Sequence, residues 1–508
     1  MAINAQDAIS LKYTPVEEIP LIHEKLVSTF ASNKTLSLDF RRDQLRKLYY
    51  CVHDNETAIL NAVYEDFHKA PLETYISELS MVLNGCIEAI ENLASWAKPK
   101  TLSTSLTWYA LKPTIRYDPL GTVLIIVPFN YPVQLALMPL IGALAAGNTV
   151  MLKLSENTPH TSALFTRLLH THLDNSVVHV INGDLPQSRA ATDLKFDFIF
   201  FTGGARVGTQ VAVAAAKTLT PVVLELGGKS PAFVLDGKNM ALIAKRIAYG
   251  RYMNAGQTCV APDYLLLKRG LEKEFLTEMK QQLDKLYPDM SKDCSDYAHM
   301  ISDAAFNRVK SLIDNTKGEI VIGGTETADS ETRFIEPTVI LDVEPDDSLM
   351  KDEIFGPVLP IVLIDSAEEG IEYVRKYHDH PLALYIFSQD SKTIEKIHEQ
   401  VSSGSGMVNG SIVQLADPSI PFGGVGKSGM GAYHGHHSFE TFSHKHPYMI
   451  EPFWTELATA IRYPPYSAKQ KKYYERAMIK SASFPREGAI PTTFLGRMIF
   501  RIGSLFAR

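Results

Sequence analysis

One cysteine of the chain stands where its thiol can act as a nucleophile. Cys259 lies in the short polar stretch Arg251–Pro262, between a helix-like run, Met240–Met253, and a strand-like run, Tyr264–Lys268. A thiolate presented to a cleft attacks electrophilic carbon, whereas a cysteine within packed hydrocarbon is inert. A connection between a helix and a strand favours presentation, so Cys259 is the first candidate catalytic residue.

Two further polar residues directly follow strand-like segments. Glu225 ends the apolar run Val222–Leu224, and Asn130 follows Val123–Val127. A carboxylate at a strand end can act as a general base if burial raises its pKa, although it can also be a salt-bridged rim residue. An amide in this position can donate to an oxyanion, or it can cap the helix that follows.

A third group has the chemistry of nucleotide binding. Thr202, Gly203 and Gly208 lie where a strand turns into a helix, and helix N-termini with glycine turns favour phosphate. This turn lacks the G-x-G-x-x-G spacing, and alone it is no more than a βα turn. Lys153 and Glu156 follow another strand end and suit ribose hydroxyls, unless they form a solvated pair.

A segment near residue 355 carries another carboxylate and an aromatic ring. Glu353 and Phe355 occur in Glu353-Ile354-Phe355-Gly356-Pro357, just before a strand-like run. Taken alone, this segment reads as a turn.

The elements that must position these residues alternate between strand and helix from Gly121 onward. Two successive sets of strands, near 123–226 and 233–387, are separated by helical runs of about ten to fifteen residues. This rhythm predicts βαβ units and parallel sheets in two lobes, with a ligand cleft between them. Ahead of them, residues 16–65 and 73–98 have the spacing of amphipathic helices.

One uncharged segment is long enough to suggest a membrane span. Gly121–Leu152 contains no charged side chain, but proline, glycine and polar residues divide it into strand, turn, helix and strand. Buried parallel strands with their covering helices have this composition in α/β proteins. We therefore expect a buried βαβ unit.

Composition excludes several classes of function. The 508 residues carry a net charge of −7, which offers no basic surface for nucleic acid. The four cysteines form no C-x-x-C pair, which argues against a disulfide scaffold or a cysteine zinc site and favours a reducing compartment. Five histidines between 434 and 446 lack the H-E-x-x-H pattern, so we predict no metal site. The first thirteen residues do not resemble a signal peptide.

The C-terminal tail has its own pattern. In the last fifteen residues the apolar side chains share one arc of a helix, and Arg497, Arg501 and Arg508 lie opposite. Such a helix either docks on its own domain or on a dimer partner, or it lies in a membrane interface.

Taken together, the motifs resemble the aldehyde dehydrogenase superfamily. The resemblance covers about residues 20–450 and is carried by Glu225-Leu226-Gly227-Gly228-Lys229-Ser230-Pro231 and Gly256-Gln257-Thr258-Cys259, with Asn130 and the Glu353 segment as further matches. Cys259-Val260-Ala261-Pro262-Asp263-Tyr264 and Arg462-Tyr463-Pro464-Pro465 are similar to the class-3 branch, which includes fatty aldehyde dehydrogenases, and the long tail is similar to fungal members.

This resemblance implies a mechanism and a set of roles. It implies NAD(P)-dependent oxidation of aldehydes to carboxylic acids through a cysteine thiohemiacetal and a thioester. Cys259 would be the nucleophile, Glu225 the base and Asn130 the oxyanion donor. The cofactor, NAD with NADP as the second choice, would be held by Lys153, Glu156, Thr202, Gly203, Gly208, Glu353 and Phe355.

The expected substrate is a medium- or long-chain fatty aldehyde, with an aromatic or apocarotenoid aldehyde as the alternative. A non-catalytic cofactor-binding relative, or an esterase that uses Cys259 without cofactor, would be proteins of another class. We further expect a homodimer and an intracellular protein on the cytoplasmic side, in peripheral contact with an organelle or lipid-droplet membrane through the C-terminal helix.

The resemblance also implies a division of the chain. The NAD-binding domain is expected at 16–104 and 120–226, and the catalytic domain at 227–410. A small β element for bridging or oligomerisation is expected at 105–119 and 411–450, with the tail at 451–508.

Overall fold

The structure is a computed structural model that describes residues 10–104, 106–478, 482–486 and 488–506. Predicted features that fall on the extreme N-terminus, Ser105 and Arg508 lie outside these residues. One compact unit comprises the described residues within 1–97 and 117–444, and a second comprises those within 98–116 and 445–508.

The strands form three sheets. Their bounds are β1 Lys100–Thr101, β2 Thr114–Pro119, β3 Thr122–Ile126, β4 Thr149–Lys153, β5 Val178–Ile181, β6 Phe198–Thr202, β7 Val222–Glu225, β8 Pro231–Val234, β9 Tyr264–Lys268, β10 Glu319–Ile322, β11 Thr338–Leu341, β12 Val358–Ile364, β13 Ala383–Phe387, β14 Ser405–Val408, β15 Gly429–Met430 and β16 Ser443–Tyr448.

The helices cover the sheets and form the N-terminal and C-terminal segments. Their bounds are α1 Glu18–Ala31, α2 Leu38–His53, α3 Glu56–Phe67, α4 Pro71–Thr74, α5 Ser80–Trp96, α6 Leu106–Tyr109, α7 Gln134–Ala146, α8 Pro159–His172, α9 Leu185–Thr192, α10 Ala205–Ala216, α11 Met240–Tyr252, α12 Glu272–Leu286, α13 Asp303–Asp314, α14 Ala367–Tyr377, α15 Ser391–Gln400, α16 Gly435–Thr441, α17 Glu456–Thr459, α18 Ala468–Met478 and α19 Phe494–Phe506.

The first unit contains two large sheets, as the alternating pattern predicts. The six-stranded sheet has the order β15-β7-β6-β3-β4-β5, and all neighbours except β15 are parallel. The seven-stranded sheet has the order β10-β11-β12-β9-β8-β13-β14, with β10 as its antiparallel edge. The predicted α/β class with parallel sheets is therefore confirmed.

The order of the six-stranded sheet creates a crevice. After β3 the chain adds β4 and β5 on one side, and it then crosses to add β6 and β7 on the other side. Loops that leave a parallel sheet at such a switch point separate and leave room for a ligand. Because β3, β4, β6 and β7 all end at this edge, the polar residues at their ends are brought together.

The uncharged segment forms a buried βαβ unit. It folds into β3, α7 and β4, and all thirteen residues of α7 are buried. A helix that is apolar on every side needs cover on every side, which the interior of an α/β domain provides. Within the part of the chain that the structure describes, no helix combines the length and hydrophobicity needed to cross a bilayer.

The second unit carries most of the small sheet β1-β2-β16 together with the tail helices. Residues 105–119 belong to the predicted β element, but Leu106–Tyr109 form a helical turn and the strand begins only at Thr114. Lys112 has a left-handed backbone and Pro113 has no N–H, so a strand cannot run through this point.

Candidate active site

Cys259 is held in a turn with unusual backbone geometry. Helix α11 ends at Tyr252, a 3₁₀ turn spans Met253–Gly256, and β9 begins at Tyr264. Gly256 has φ of +72°, and a Cβ at this position would lie 2.3 Å from the carbonyl oxygen of Gly356. Glycine is therefore required here, and the close approach joins the cysteine turn to the segment that carries Glu353.

Cys259 is partly exposed and lines two cavities at once. The wide cavity, about 380 Å³, extends from Cys259 along the ends of β3, β4, β6 and β7. The narrow cavity, about 200 Å³, extends from Cys259 between the α11 end and the loop after β14. Because the thiol lines both cavities, it can contact one ligand in the wide cavity and a second ligand in the narrow cavity.

Nine of the ten predicted site residues line the wide cavity. They are Asn130, Lys153, Glu156, Thr202, Gly203, Glu225, Cys259, Glu353 and Phe355. The tenth, Gly208, is buried one turn into α10, where a Cβ would lie 2.6 Å from Leu226 Cδ2. The structure thus gives Gly208 a packing contact that lets α10 approach β7, and it is not part of the cavity wall.

Asn130 is joined to the cysteine turn by hydrogen bonds in both directions. Its side-chain Nδ2 donates to the carbonyl oxygen of Gln257 at 3.0 Å, and its own carbonyl accepts from Asn254 Nδ2 at 2.8 Å. An amide nitrogen carries two N–H groups, so one remains for an oxygen in the cavity. The geometry therefore suits an oxyanion donor, and Asn130 does not cap α7, which has no side-chain cap.

Glu225 ends β7 as a buried carboxyl group. Neither carboxyl oxygen has a hydrogen-bonding partner among the described residues. Burial raises its pKa well above the ordinary value, because a charged carboxylate loses hydration in this position. The carboxylate form of Glu225 is therefore a stronger base than a surface carboxylate, which suits the removal of a proton from water, and Glu225 is not a salt-bridged rim residue.

Burial also dominates the ionisation of two other groups on the wide cavity, Cys259 and Glu353. It raises the pKa of the Cys259 thiol, and the nearby carboxyl groups of Glu353 and Glu225 raise it further. It raises the pKa of Glu353 to about 8, and neighbouring Asp263 acts in the same direction, while a backbone hydrogen bond from Gly228 opposes them. Both groups are therefore mainly protonated at pH 7 in the protein alone.

The wide cavity also has the features of a dinucleotide site. Lys153 Nζ donates to Glu156 Oε2 at 2.6 Å, which places an amine and a carboxylate together for ribose hydroxyls. Helix α10 begins at Ala205. A Cβ on Gly204, the residue before it, would meet no atom within 4 Å, so a ligand has room to approach the backbone there. Glu353 Oε1 is buried without a hydrogen-bonding partner. The Lys153–Glu156 pair and the unpaired Glu353 oxygen suit ribose hydroxyls, and the N-terminus of α10 suits a pyrophosphate. Together they fit NAD or NADP.

The narrow cavity is mainly apolar. Its walls include Met253, Val260, Leu415, Phe422 and Tyr433, and its polar residues are few. An apolar cavity that ends at a nucleophile suits a hydrocarbon chain with one reactive end.

A buried charged network behind the site was not recognised from the sequence. Lys229 Nζ donates to Asp263 Oδ2 at 2.6 Å and to the carbonyl of Leu349 at 2.7 Å. Arg251 donates to Asp263 Oδ1 at 3.0 Å and to the carbonyl of Gly356 at 2.6 Å. In the sequence, only the position of Lys229 within the Glu225 motif pointed to this network. Among the described residues, no group of three His, Cys, Asp or Glu side chains is arranged to hold a metal ion.

Comparison with known proteins identifies the family. The family model described as "Aldehyde dehydrogenase family" matches residues 10–446. Aldehyde dehydrogenase family 3 member A2 of Macaca fascicularis is 40% identical over 473 residues, 93% of this chain and 96% of that protein. Beta-apo-4'-carotenal oxygenase of Neurospora crassa is 37% identical over 491 residues, 96% of this chain and 92% of that protein.

A solved structure agrees with this result at the level of the fold. The substrate-bound state of Staphylococcus aureus AldH has a TM-score of 0.87 and 38% sequence identity, and the match covers 90% of this chain and 99% of that one. The resemblance inferred from the motifs, including the class-3 branch, is confirmed. The chain belongs to the aldehyde dehydrogenase family and is an NAD(P)-dependent enzyme that oxidises aldehydes to carboxylic acids.

Proposed function

We propose that Cys259 is the nucleophile, Asn130 and the Cys259 backbone N–H are the oxyanion donors, and Glu225 is the general base. The observation that supports this most is the position of Cys259 on the wall that both cavities share, with the other two residues on the wide cavity. The aldehyde would then enter through the narrow cavity and the cofactor through the wide one.

In this mechanism the Cys259 thiol first loses its proton to solvent water, and the resulting thiolate attacks the aldehyde carbon. The new oxyanion receives hydrogen bonds from Asn130 and from the backbone N–H. One such donor lowers the barrier by about 2.7–4 kcal/mol. The bound nicotinamide supplies the acceptor for the hydride that the substrate loses. Glu225 then removes a proton from water, and the water attacks the thioester carbon to release the acid and the thiol.

The cofactor contacts follow the same geometry. Lys153 and Glu156 would hold the adenine ribose and Glu353 the nicotinamide ribose, with Thr202, Gly203 and Phe355 on the cavity wall. Gly208 would act indirectly by seating α10. In this proposal, residues 16–104 and 120–226 are the NAD-binding domain, 227–410 the catalytic domain, and 105–119 with 411–450 the bridging element.

NAD is the favoured cofactor in this proposal. The Glu156 carboxylate would repel a 2′-phosphate at the ribose site, and Lys153 is already paired with it. We expect a higher kcat/KM with NAD than with NADP and a smaller ratio in the Glu156→Gln variant. Equal efficiencies in the unmodified enzyme would refute this preference.

The substrate is proposed to be a medium- or long-chain fatty aldehyde. The apolar wall of the narrow cavity supports an aliphatic chain. An apocarotenoid aldehyde is the second candidate, because the Neurospora crassa relative is named for a carotenal. Turnover from hexanal to hexadecanal, beside benzaldehyde and an apocarotenal, tests this by NADH absorbance. Efficiency should rise with chain length, and a preference for the aromatic or carotenoid substrate would refute the fatty-aldehyde proposal.

The tail is proposed to bring the enzyme to a membrane surface. On α19 several large apolar side chains are strongly exposed, among them Phe494 at 83%, Leu495 at 60% and Ile499 at 61%. Such a helix with basic residues lies in a bilayer interface. Flotation with vesicles that contain anionic lipid should recover the full chain, and a chain that ends at residue 489 should stay behind. Equal recovery of the two chains would remove the membrane role of the tail and leave docking on its own domain or on a dimer partner. We also propose a homodimer, which light scattering of the purified enzyme would test.

A further inference from the structure

The turn that carries Cys259 contains two consecutive strained residues. Asn254 has φ 54° and ψ 31°, and Ala255 has φ 52° and ψ 34°. Left-handed backbone is unfavourable for a residue with a Cβ, more so for alanine than for asparagine. Such a conformation persists only where surrounding contacts hold it, so the contacts of this turn bear directly on where Cys259 lies.

Asn254 connects the turn to the Asn130 loop. Its Nδ2 donates to the carbonyl of Asn130 at 2.8 Å and to that of Gln257 at 3.2 Å. Gln257 Nε2 donates back to the carbonyl of Asn254 at 3.1 Å. Because Asn130 Nδ2 also contacts the Gln257 carbonyl, the position of Asn254 sets the relative placement of the two proposed oxyanion donors.

A carboxylate from a distant part of the chain holds Asn254. The backbone N–H of Asn254 donates to Glu73 Oε1 at 2.9 Å, across 181 positions of sequence. Glu73 lies in α4, and a π-helical turn, Tyr75–Leu79, follows it directly. Short π-helical turns inside helices occur frequently at functional sites, because they reorient side chains that a regular helix would misplace.

The same segment also braces the Asn130 side of the site. Glu78 Oε2 accepts the backbone N–H groups of Val133 and Gln134 at 2.8 and 3.2 Å, just after Asn130. Lys69 donates to Glu78 Oε1 at 2.8 Å, and both side chains are fully buried. Residues 69–79 therefore contact both loops that supply the proposed oxyanion donors.

We propose that Glu73 is a positioning residue of the active site, which acts through Asn254 to hold the two oxyanion donors in register. This inference rests on the proposed roles of Cys259 and Asn130. Glu73 itself touches neither substrate nor cofactor in the mechanism.

The surroundings of Glu73 explain which substitutions are informative. Burial raises its pKa to about 7, against the opposing charge of Lys69. The other ionisable groups that act on it or respond to it are Glu78, Asp296, Tyr131, Tyr249 and Tyr287. Glutamine matches the protonated acid in shape, and its amide oxygen can still accept the Asn254 N–H. Alanine removes the acceptor.

The test compares Glu73→Gln and Glu73→Ala with the exposed control Glu65→Ala. We expect Glu73→Ala to lower kcat by about 10- to 100-fold, the size of effect that a small misplacement produces. The KM for NAD should stay within about twofold, while Glu73→Gln and the control stay near the unmodified enzyme. An unchanged kcat in Glu73→Ala, or an equal loss in Glu73→Gln, would overturn the proposal.

A second variant separates positioning from folding. Asn254→Gly accepts the left-handed backbone but removes the side-chain bridge, so it should lose kcat although the variant still folds, which circular dichroism and cofactor binding would show. In the double variant with Glu73→Ala, the losses should not multiply, because both act through one contact. Multiplying losses would overturn the proposal. The Cys259→Ser variant separates a failure of the Glu73 proposal from a failure of the proposed mechanism. Full activity in that variant would refute Cys259 as the nucleophile.

Discussion

At the scale of single residues, burial without partners sets the chemistry of Glu225. A carboxylate at a protein surface is ionised at neutral pH and is a weak base. Glu225 ends β7 beneath the wide cavity with no hydrogen-bonding partner among the described residues, and its pKa is raised accordingly. The same burial that costs folding free energy therefore gives the side chain the basicity that the proposed thioester hydrolysis needs.

The Glu225→Gln variant tests that role. Without the base, Cys259 can still form the thioester, but water is not activated. We expect a burst of about one NADH per active site, followed by a steady state about 10²- to 10⁴-fold slower. Stopped-flow absorbance measures both phases. A steady-state rate equal to that of the unmodified enzyme would remove Glu225 from the mechanism.

At the scale of secondary-structure elements, the parallel sheet assembles the wide cavity. Thr202 of β6 lies opposite Glu225 of β7, and Ile126 of β3 lies opposite Lys153 of β4. Register thus brings residues from four strand ends to one edge, where helix α10 begins. Each of these strands is a short apolar run followed by a polar residue. This explains why apolar runs with polar ends recur along the sequence.

The contact between α10 and the sheet depends on Gly208. In the Gly208→Ala variant the new Cβ would lie 2.6 Å from Leu226 Cδ2 and 3.3 Å from the Phe201 ring, so either the buried Leu226 side chain or the helix must shift. We expect a loss of about 1–3 kcal/mol in the free energy of unfolding and a higher KM for NAD.

Denaturation by urea and cofactor titration measure these two effects. Gly237→Ala is the matched control, because its Cβ would meet the flexible end of Glu274 at 3.1 Å. A Gly208→Ala variant that behaves like this control would show that the close approach is unimportant.

Most of the strands and helices could be predicted from the sequence, but parts of the site could not. That nine of the predicted residues lie on one cavity could be foreseen, because strand ends in a parallel sheet converge and because the motifs around Cys259 and Glu225 are specific. Glu73 gave no signal, since its partner lies 181 positions away and its helix reads as an amphipathic surface helix. The narrow cavity was also missed, because its walls come from separate elements that only the tertiary fold brings together.

At the scale of the whole molecule, buried acids link stability to pH. Burial raises the pKa of Glu73 to about 7 and that of Glu353 to about 8, both above the ordinary glutamate value of 4.5. The folded state therefore holds these protons more tightly than the unfolded state. The stability that they contribute is complete below pH 4.5 and is lost as the pH rises through 7 and 8.

We therefore expect the free energy of unfolding of the cofactor-free enzyme to fall by an amount on the order of a few kcal/mol between pH 5 and pH 9. Urea denaturation at several pH values measures this slope. Glu353→Gln should flatten it between pH 7 and pH 9, because the amide does not titrate. A stability that is constant or rises over this range, or a variant with an unchanged slope, would contradict the assignment of buried acids.

The central claim is that Cys259 becomes covalently acylated where the two cavities meet. Mass spectrometry of the Glu225→Gln enzyme, quenched in acid after reaction with decanal and NAD, tests it most directly. The mechanism predicts one added decanoyl group, on the peptide that contains Cys259. An enzyme that turns over but stays unmodified, or that carries the group on Cys51, Cys86 or Cys294, would contradict it.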